Sequence, residues 1–473
     1  MAPSRAAPHE AFQDSKPAWD PAAYIADTEL QERAAALLEK DDFASAIALS
    51  FNLPPRDAYV YHAIVSVTLG QVQHVIGMGG ANGLHTWYRD LSPPPPPPPP
   101  AASSSTDGAD DNKNDRSTAT TETQQQVPKA KTLGKPAAPP PRPDIDTYLS
   151  IFSPTTATPN ILKTFALNAK KQSLRSSIAA HLLAKRYLHP ALPALQIPRL
   201  KKAGAAPANP YLTFLNWACR NLEWAGPSPE SEAVRSAHHV LPVLMHHFGC
   251  VCPSHEALSI LKEVAGGRDI LDVGSGNGYW TFMLRQYCCP PSATTTTAAA
   301  AAAAAAPPKP SSKSQKGQAA AQKQQEQKII PIDNAQSAWR ANWVPDTLVA
   351  DGVAYLQSHQ GGQDAVLLLV YPIVGGGVAG GEEGGFTRNL LRSYQGDTLA
   401  VAGTQNHNGY TGFRDRSMDE FMAQEAPAWV KVAQVPLPSF PGKDEALFVY
   451  QRGARAPPKD DGGSTEPGAA TAP

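Results

Sequence analysis

Charge is scarce in this chain. Only 18% of the 473 residues are Asp, Glu, Lys or Arg, and the two signs cancel to a formal −1. So even a balance offers no basic field to a nucleic acid or an anionic membrane surface. Cysteine is rare as well: five residues, Cys219, Cys250, Cys252, Cys288 and Cys289. An odd number with two near-adjacent pairs does not make a disulfide framework. It fits a reducing intracellular compartment, the cytoplasm first and the nucleus second. Long apolar runs are missing, since no stretch reaches the roughly 18 uninterrupted apolar residues of a membrane helix. The longest, Ala298 to Ala306, is polyalanine inside a low-complexity tract. The start, "MAPSRAAPHEAFQDSKPAWD", has no apolar core behind a basic end and is not expected to act as a secretory signal.

What the chain has in excess is proline, 47 residues, about twice the usual share and a sign of disordered segments beside globular ones. Eight prolines, Pro93 to Pro100, open a tract that stays polar to about Pro143. Polyproline is a stiff rod, and the polar residues after it bury too little apolar surface to offset their ordering entropy. A second tract of this kind, with the alanine run in it, spans about 290–327. With disordered ends over 1–19 and 453–473, three ordered blocks are expected: about 20–92, 144–289 and 328–452.

The first block reads as helical, with Leu30, Ala34, Leu37 and Leu38 on one face. The stretch 144–253 is mostly helical too. In "ESEAVRSAHHVLPVLMHHFG" one stripe holds Val234, Ala237, Leu241, Leu244 and Met245, with Pro242 as a kink point. In "SHEALSILKEVAGG", Ser254 caps the start, Leu258, Leu261 and Val264 line a face, and Gly266–Gly267 end it. From Arg268 on, short apolar runs alternate with helical stretches: "DILDV", "KIIPI", "DTLVAD", "DAVLLLVYP", "DTLAVAGT", "AWVKVAQVPL" and "EALFVYQR". Apolar strands alternating with helices indicate a doubly wound, mostly parallel α/β sheet. Seven strands are expected. The last two, joined by "PSFPGKD", suit an antiparallel hairpin at the sheet edge.

The chemistry concentrates in "DILDVGSGNGYW", Asp269 to Trp280. A strand running into a glycine-rich turn and then a helix lets a ligand approach bare backbone and free N–H groups. The dinucleotide pattern requires a third glycine where Tyr279 stands, and a bulky ring there obstructs close helix–strand packing. The order Asp272-Val-Gly274-Ser275-Gly276-Asn-Gly278 instead resembles motif I of class I S-adenosylmethionine-dependent methyltransferases. The resemblance covers roughly 254–452 without the 290–327 insert, which interrupts a place where the family has a short turn. It implies S-adenosyl-L-methionine as cofactor. Asp272 then organises the loop, and Asp333, followed by Asn334, meets the ribose hydroxyls at the tip of the second strand. Asp351 and Gly352 meet the adenine at the tip of the third, and Tyr371–Pro372 stand beside the transferred methyl at the fourth. Trp280 and Trp343 are candidates for stacking on the adenine, and otherwise belong to the core.

Methyl transfer from a sulfonium needs alignment and exclusion of water more than a base. The tetrapeptide N-P-P-Y and a Pro-Cys nucleophile are both missing. The loop "TQNHNGYTGF" carries Asn406, His407, Asn408 and Tyr410, and His407 and Tyr371 are the catalytic candidates. The run "GGGVAGGEEGG" reads as a flap or a slack loop. His246, His247, Cys250 and Cys252 lack the C-x2-C spacing of a zinc site and are read as helix-end histidines and small buried residues, with no metal. Two functions follow. One is a methyltransferase with an unidentified acceptor and a helical N-terminal half that shapes the substrate site. The other is a scaffold on the same fold that recruits SH3- or WW-type partners through its polyproline.

Overall fold

A computed structural model of the protein describes residues 19–55, 57–63, 65–79, 86–90, 135–234, 237–289, 327–373, 382–407 and 411–458. Most of both low-complexity tracts, much of the "GGGVAGGEEGG" run, Asn408 and Tyr410 lie outside these residues.

The N-terminal block forms three helices where one face was expected: α1 (Pro21–Ala26), α2 (Thr28–Leu38) and α3 (Phe43–Ser50). Each break is an aspartate whose side chain accepts a backbone N–H of the next helix: Asp20, Asp27 and Asp42. Of the expected face, Ala34 and Leu38 are buried, while Leu30 and Leu37 are half-buried. A small hairpin, β1 (Val60–His62) with β2 (Ser66–Thr68), leads into α4 (Leu69–Gly77). The short pair β3 (Arg89–Asp90) and β4 (Lys135–Pro136) precedes α5 (Arg142–Ser150), α6 (Thr158–Leu167), α7 (Leu174–Lys185), β5 (Tyr187–Leu188) and α8 (Pro210–Asn221).

The helix expected through "ESEAVRSAHHVLPVLMHHFG" is shorter than its stripe. Pro229–Ala233 is a 3-10 turn, and α9 spans only Val240–Phe248. Pro242 therefore falls in the first turn, where a missing N–H costs nothing, and no kink is needed. In α10 (His255–Ala265), Ser254 caps the start and Gly266 closes the end in the left-handed conformation.

The α/β part runs β6 (Ile270–Val273), α11 (Tyr279–Cys288), β7 (Ile329–Asp333), β8 (Leu348–Val349), α12 (Gly352–Ser358), β9 (Val366–Val370), α13 (Gly385–Ser393), β10 (Thr398–Thr404), α14 (Met418–Glu425), β11 (Val430–Pro436) and β12 (Glu445–Gln451). The sheet has eight strands, in the order β5-β11-β12-β10-β9-β6-β7-β8, where seven were expected. The eighth, β5, comes from the helical half and pairs antiparallel with β11. It covers N–H and C=O groups that β11 would otherwise leave exposed as an edge. Five strands, β8 to β10 in spatial order, are parallel, and β12 runs antiparallel between β10 and β11.

Alternation along each strand sorts the core into two clusters. Ile270, Leu368, Ala402 and Leu447 face a cluster that continues through α10 and α11 into the helical half as far as Tyr24. Leu271, Leu369, Val401 and Phe448 face the other, closed by Leu356, Leu390 and Phe421 from α12, α13 and α14. The helical half and the sheet thus share one continuous core.

Candidate functional site

Strand order reverses between β6 and β9: β7 and β8 lie to one side of β6, β9 and β10 to the other. Open α/β sheets bind ligands in the crevice beyond such a point. The glycine loop stands there. Gly274 and Ser275 both donate their N–H to the Ile332 carbonyl of β7, at 2.7 and 3.1 Å. Gly276 donates to Asp333 Oδ2 at 2.9 Å. The loop and the second strand tip are therefore tied together through an aspartate that sequence reasoning had placed there for another purpose.

Two of the glycines are required by geometry. Gly276 has φ +58 and Gly278 φ +78, both left-handed. A Cβ on Gly276 would come within 2.9 Å of the Trp339 ring, and one on Gly278 within 2.3 Å of Val344 Cγ2. Trp339 and Val344 sit on the connection from β7 to β8, which is irregular where a covering helix would be usual. Of this loop the sequence singles out only Trp343. The loop is pinned by Trp343 N–H to the Asn277 carbonyl at 2.8 Å and by Arg340 N–H to the His246 carbonyl at 3.0 Å. Arg340 also pairs with Asp57 at 2.6 Å and lies over the Tyr59 ring, so the N-terminal block clamps the loop that flanks the glycines.

Asp272 is fully buried on β6, with Thr281 Oγ1 of α11 donating to its Oδ2 at 2.7 Å. Burial pushes its carboxyl up to about 7, the Thr281 bond pulls the other way, and the nearby Asp333 charge adds to the rise. The group thus holds a proton more tightly in the folded chain than in the unfolded one. Stability is expected to fall as pH rises from about 4 to about 7, at up to ~1.4 kcal/mol per unit. Asp272→Asn should flatten that slope. Urea melts of both proteins across this range check it, and parallel slopes would refute it.

The other expected positions divide. Asp333 spends one bond on each oxygen, from Gly276 N and from Ala335 N at 2.7 Å, which leaves lone pairs for further donors. Asn334 is exposed and accepts from Gln336 N. Asp351 is the N-cap of α12 and accepts from Ala354 N at 2.9 Å. Gly352 is a packing glycine, since a Cβ there would meet Val273 Cγ1 at 2.4 Å. Tyr371 follows β9 directly at φ +51, an uncommon conformation for a ring-bearing residue. Its phenol is half-buried and pushed well up, first by burial and then by the charge of Glu445. His407 is exposed and faces Glu420 of α14 at 3.5 Å, while Asn406 is buried.

Both tryptophans are core. Trp280 donates its indole N–H to the Val251 carbonyl and Trp343 to that of His247. His246 and His247 bond Tyr59 and Tyr61 hydroxyls at 3.0 and 3.1 Å. Cys250 and Cys252 are thiols raised by burial. Elsewhere, His181, Glu232 and Asp444 converge with the donor set of a metal site. Lys185 already supplies positive charge there, at 3.0 Å from Asp444 and 3.2 Å from Glu232.

A buried polar atom left without a partner calls for an explanation, of which a bound group is one, and such atoms also lie in other parts of the fold. Among the described residues Asp272 Oδ1, Ser275 Oγ and Asn277 Nδ2 are such atoms, all within one turn of chain at the glycine loop. Thr387 Oγ1 on α13 is another. The Phe386 ring beside it lies 3.5 Å from where a Gly274 Cβ would be. Comparison of the chain with family models, with curated proteins and with solved structures finds no match.

Proposed function

We propose that this chain is an S-adenosylmethionine-dependent methyltransferase. The observation that carries the reading is the set of unpartnered polar atoms on a left-handed glycine loop at the point where strand order reverses. These donors and acceptors fit a polar, adenosine-bearing cofactor: backbone at Gly274 to Gly278, the Ser275 hydroxyl, the Asn277 amide and the free lone pairs of Asp333. The bound cofactor would supply an electrophilic methyl on a sulfonium. The protein's own part is to hold and orient, and to keep water out. Trp339, Phe386 and the clamped β7–β8 loop are placed to do that, because an in-line displacement gains most from alignment in a dry site.

Calorimetric titration with S-adenosylhomocysteine tests the reading. One site per chain is expected. Asp333→Ala should weaken it by about 1.5–3 kcal/mol, the usual worth of charge-assisted bonds, or roughly ten- to a hundredfold. Absence of binding by the wild type would overturn the reading, and equal affinity in the variant would remove Asp333 from the site.

A further inference from the structure

One glutamate at the ligand end of the sheet is almost fully buried, and its side chain finds no partner among the described residues. Glu445 is the first residue of β12 and stands opposite Thr404, the last residue of β10. Its backbone is fully used: its N–H donates to Ser439 Oγ at 2.9 Å, and its carbonyl accepts from Leu437 N at 2.8 Å. Its side chain belongs to a residue only 4% exposed, and it takes no hydrogen bond or ion pair from any described residue.

Of the local cations, only Lys443 is left to act on it. The neighbouring Asp444 takes His181 at 2.7 Å, Lys185 at 3.0 Å and the Gln405 amide at 2.6 Å. Lys443 is buried two residues away, yet among the described residues it forms no ion pair within salt-bridge distance. By strand parity Glu445 lies on the face of Leu447 and Val449, the same face as Ile270 and Asp272. From the Tyr371 tip of β9 it is two strands across the sheet, roughly 10 Å. Tyr371, Cys250 and Cys252 feel its charge, after burial, as an upward push, and Tyr211 does so after burial and Cys252. Its surroundings therefore hold two phenols, two thiols, one lysine and the saturated Asp444.

We propose that Glu445 is the anchor of the acceptor site, and that the methyl acceptor presents a positively charged nitrogen to it. The inference rests on the methyl-transfer reading for the word acceptor. An unpaired buried carboxylate is a costly feature that an ammonium partner relieves. Burial pushes the Glu445 carboxyl up to about 8, with Lys443 acting against the rise and Asp444 adding to it. At neutral pH the free site is therefore mostly protonated, and an arriving ammonium ionises it.

The test uses the full chain and three probes of one size: n-butylammonium, n-butanol and n-butyrate, each titrated with and without S-adenosylhomocysteine. Wild type should bind the ammonium at least about tenfold more tightly than the alcohol. It should also release close to one proton per site near pH 7, read from heats in buffers of different ionisation enthalpy. Glu445→Gln should bind ammonium and alcohol alike and release no proton, with its affinity for S-adenosylhomocysteine unchanged. Should that variant fail to fold, Glu445→Asp serves, keeping the proton release at lower affinity. Equal binding of ammonium and alcohol by the wild type, or proton release that survives Glu445→Gln, would overturn the assignment. Cofactor-product binding without an ammonium preference sinks only the Glu445 proposal. An ammonium preference without product binding sinks the methyl-transfer reading and upholds the cation site.

Discussion

Replacing Gly278 by alanine is expected to destabilise the protein by about 2–5 kcal/mol and to abolish binding at the glycine loop. Two costs add. The left-handed φ of +78 charges an alanine roughly 1–2 kcal/mol. The new methyl would sit 2.3 Å from Val344 Cγ2, and overpacking of that kind costs about 1–3 kcal/mol. Val344 cannot step aside freely, because the adjacent Trp343 is held at both N–H groups, by Asn277 and by His247. Denaturant melts measure the loss. Gly267→Ala is the control: it shares a positive φ of +85 but has open space around a Cβ, so only the backbone cost of about 1–2 kcal/mol is expected. Equal losses at the two sites would show that contact with Val344 is irrelevant.

Asp444→Ala is expected to cost about 3–5 kcal/mol, the usual result of removing one partner from a buried charge cluster. The change removes a shared partner from Gln405, just beyond β10, and from His181 and Lys185, which tie α7 of the helical half to the start of β12. The Asp444 carboxyl is held below its ordinary range: burial acts to raise it, and the His181 bond and the Lys185 charge outweigh that. A depressed carboxyl lends stability above its unfolded value of about 3.9, and that contribution is lost as pH falls through the folded value. Acid melts should therefore converge, with wild type and Asp444→Ala far apart at neutral pH and closer at the acid end. A constant gap would mean that the loss is packing rather than charge.

Much of this was legible because it is local. The cap at Ser254, the left-handed end at Gly266 and the glycine loop after β6 are each written within a few neighbouring residues, so the residue types suffice. The strand tips were legible as an ordered series of short apolar runs. What escaped depends on residues far apart in the chain. The two residues of β5 carry no strand pattern of their own and are strand only because β11 needs an edge partner. Trp339 and Arg340 look like ordinary loop residues until Asp57 and the Tyr59 ring arrive from the N-terminal block. Asp351 and Gly352 meet the adenine only by the family resemblance, and the sequence alone does not separate that role from a structural one. A helix N-cap and a close strand contact demand the same two residue types. Glu445 is silent in sequence, since nothing in "KDEALFVY" says that His181, Lys185 and Gln405 all go to the aspartate and none to the glutamate.

The tie between α7 and the start of β12 has a consequence for synthesis. His181 and its partner Asp444 are 263 residues apart. A ribosome adding about 5–20 residues per second exposes the first of them roughly 10–50 s before the second exists. Over that interval the helical half has left the tunnel with its sheet-facing surface uncovered, and β5 waits as a lone strand edge. Local helices form in microseconds, but this core cannot close until the last strands emerge, since long-range pairing must come before its reward. The first half of the nascent chain is therefore the part that depends on chaperones. Ribosome-bound chains stalled before Val430 should be digested by protease throughout 142–265, while chains extended past Gln451 and clear of the tunnel should resist.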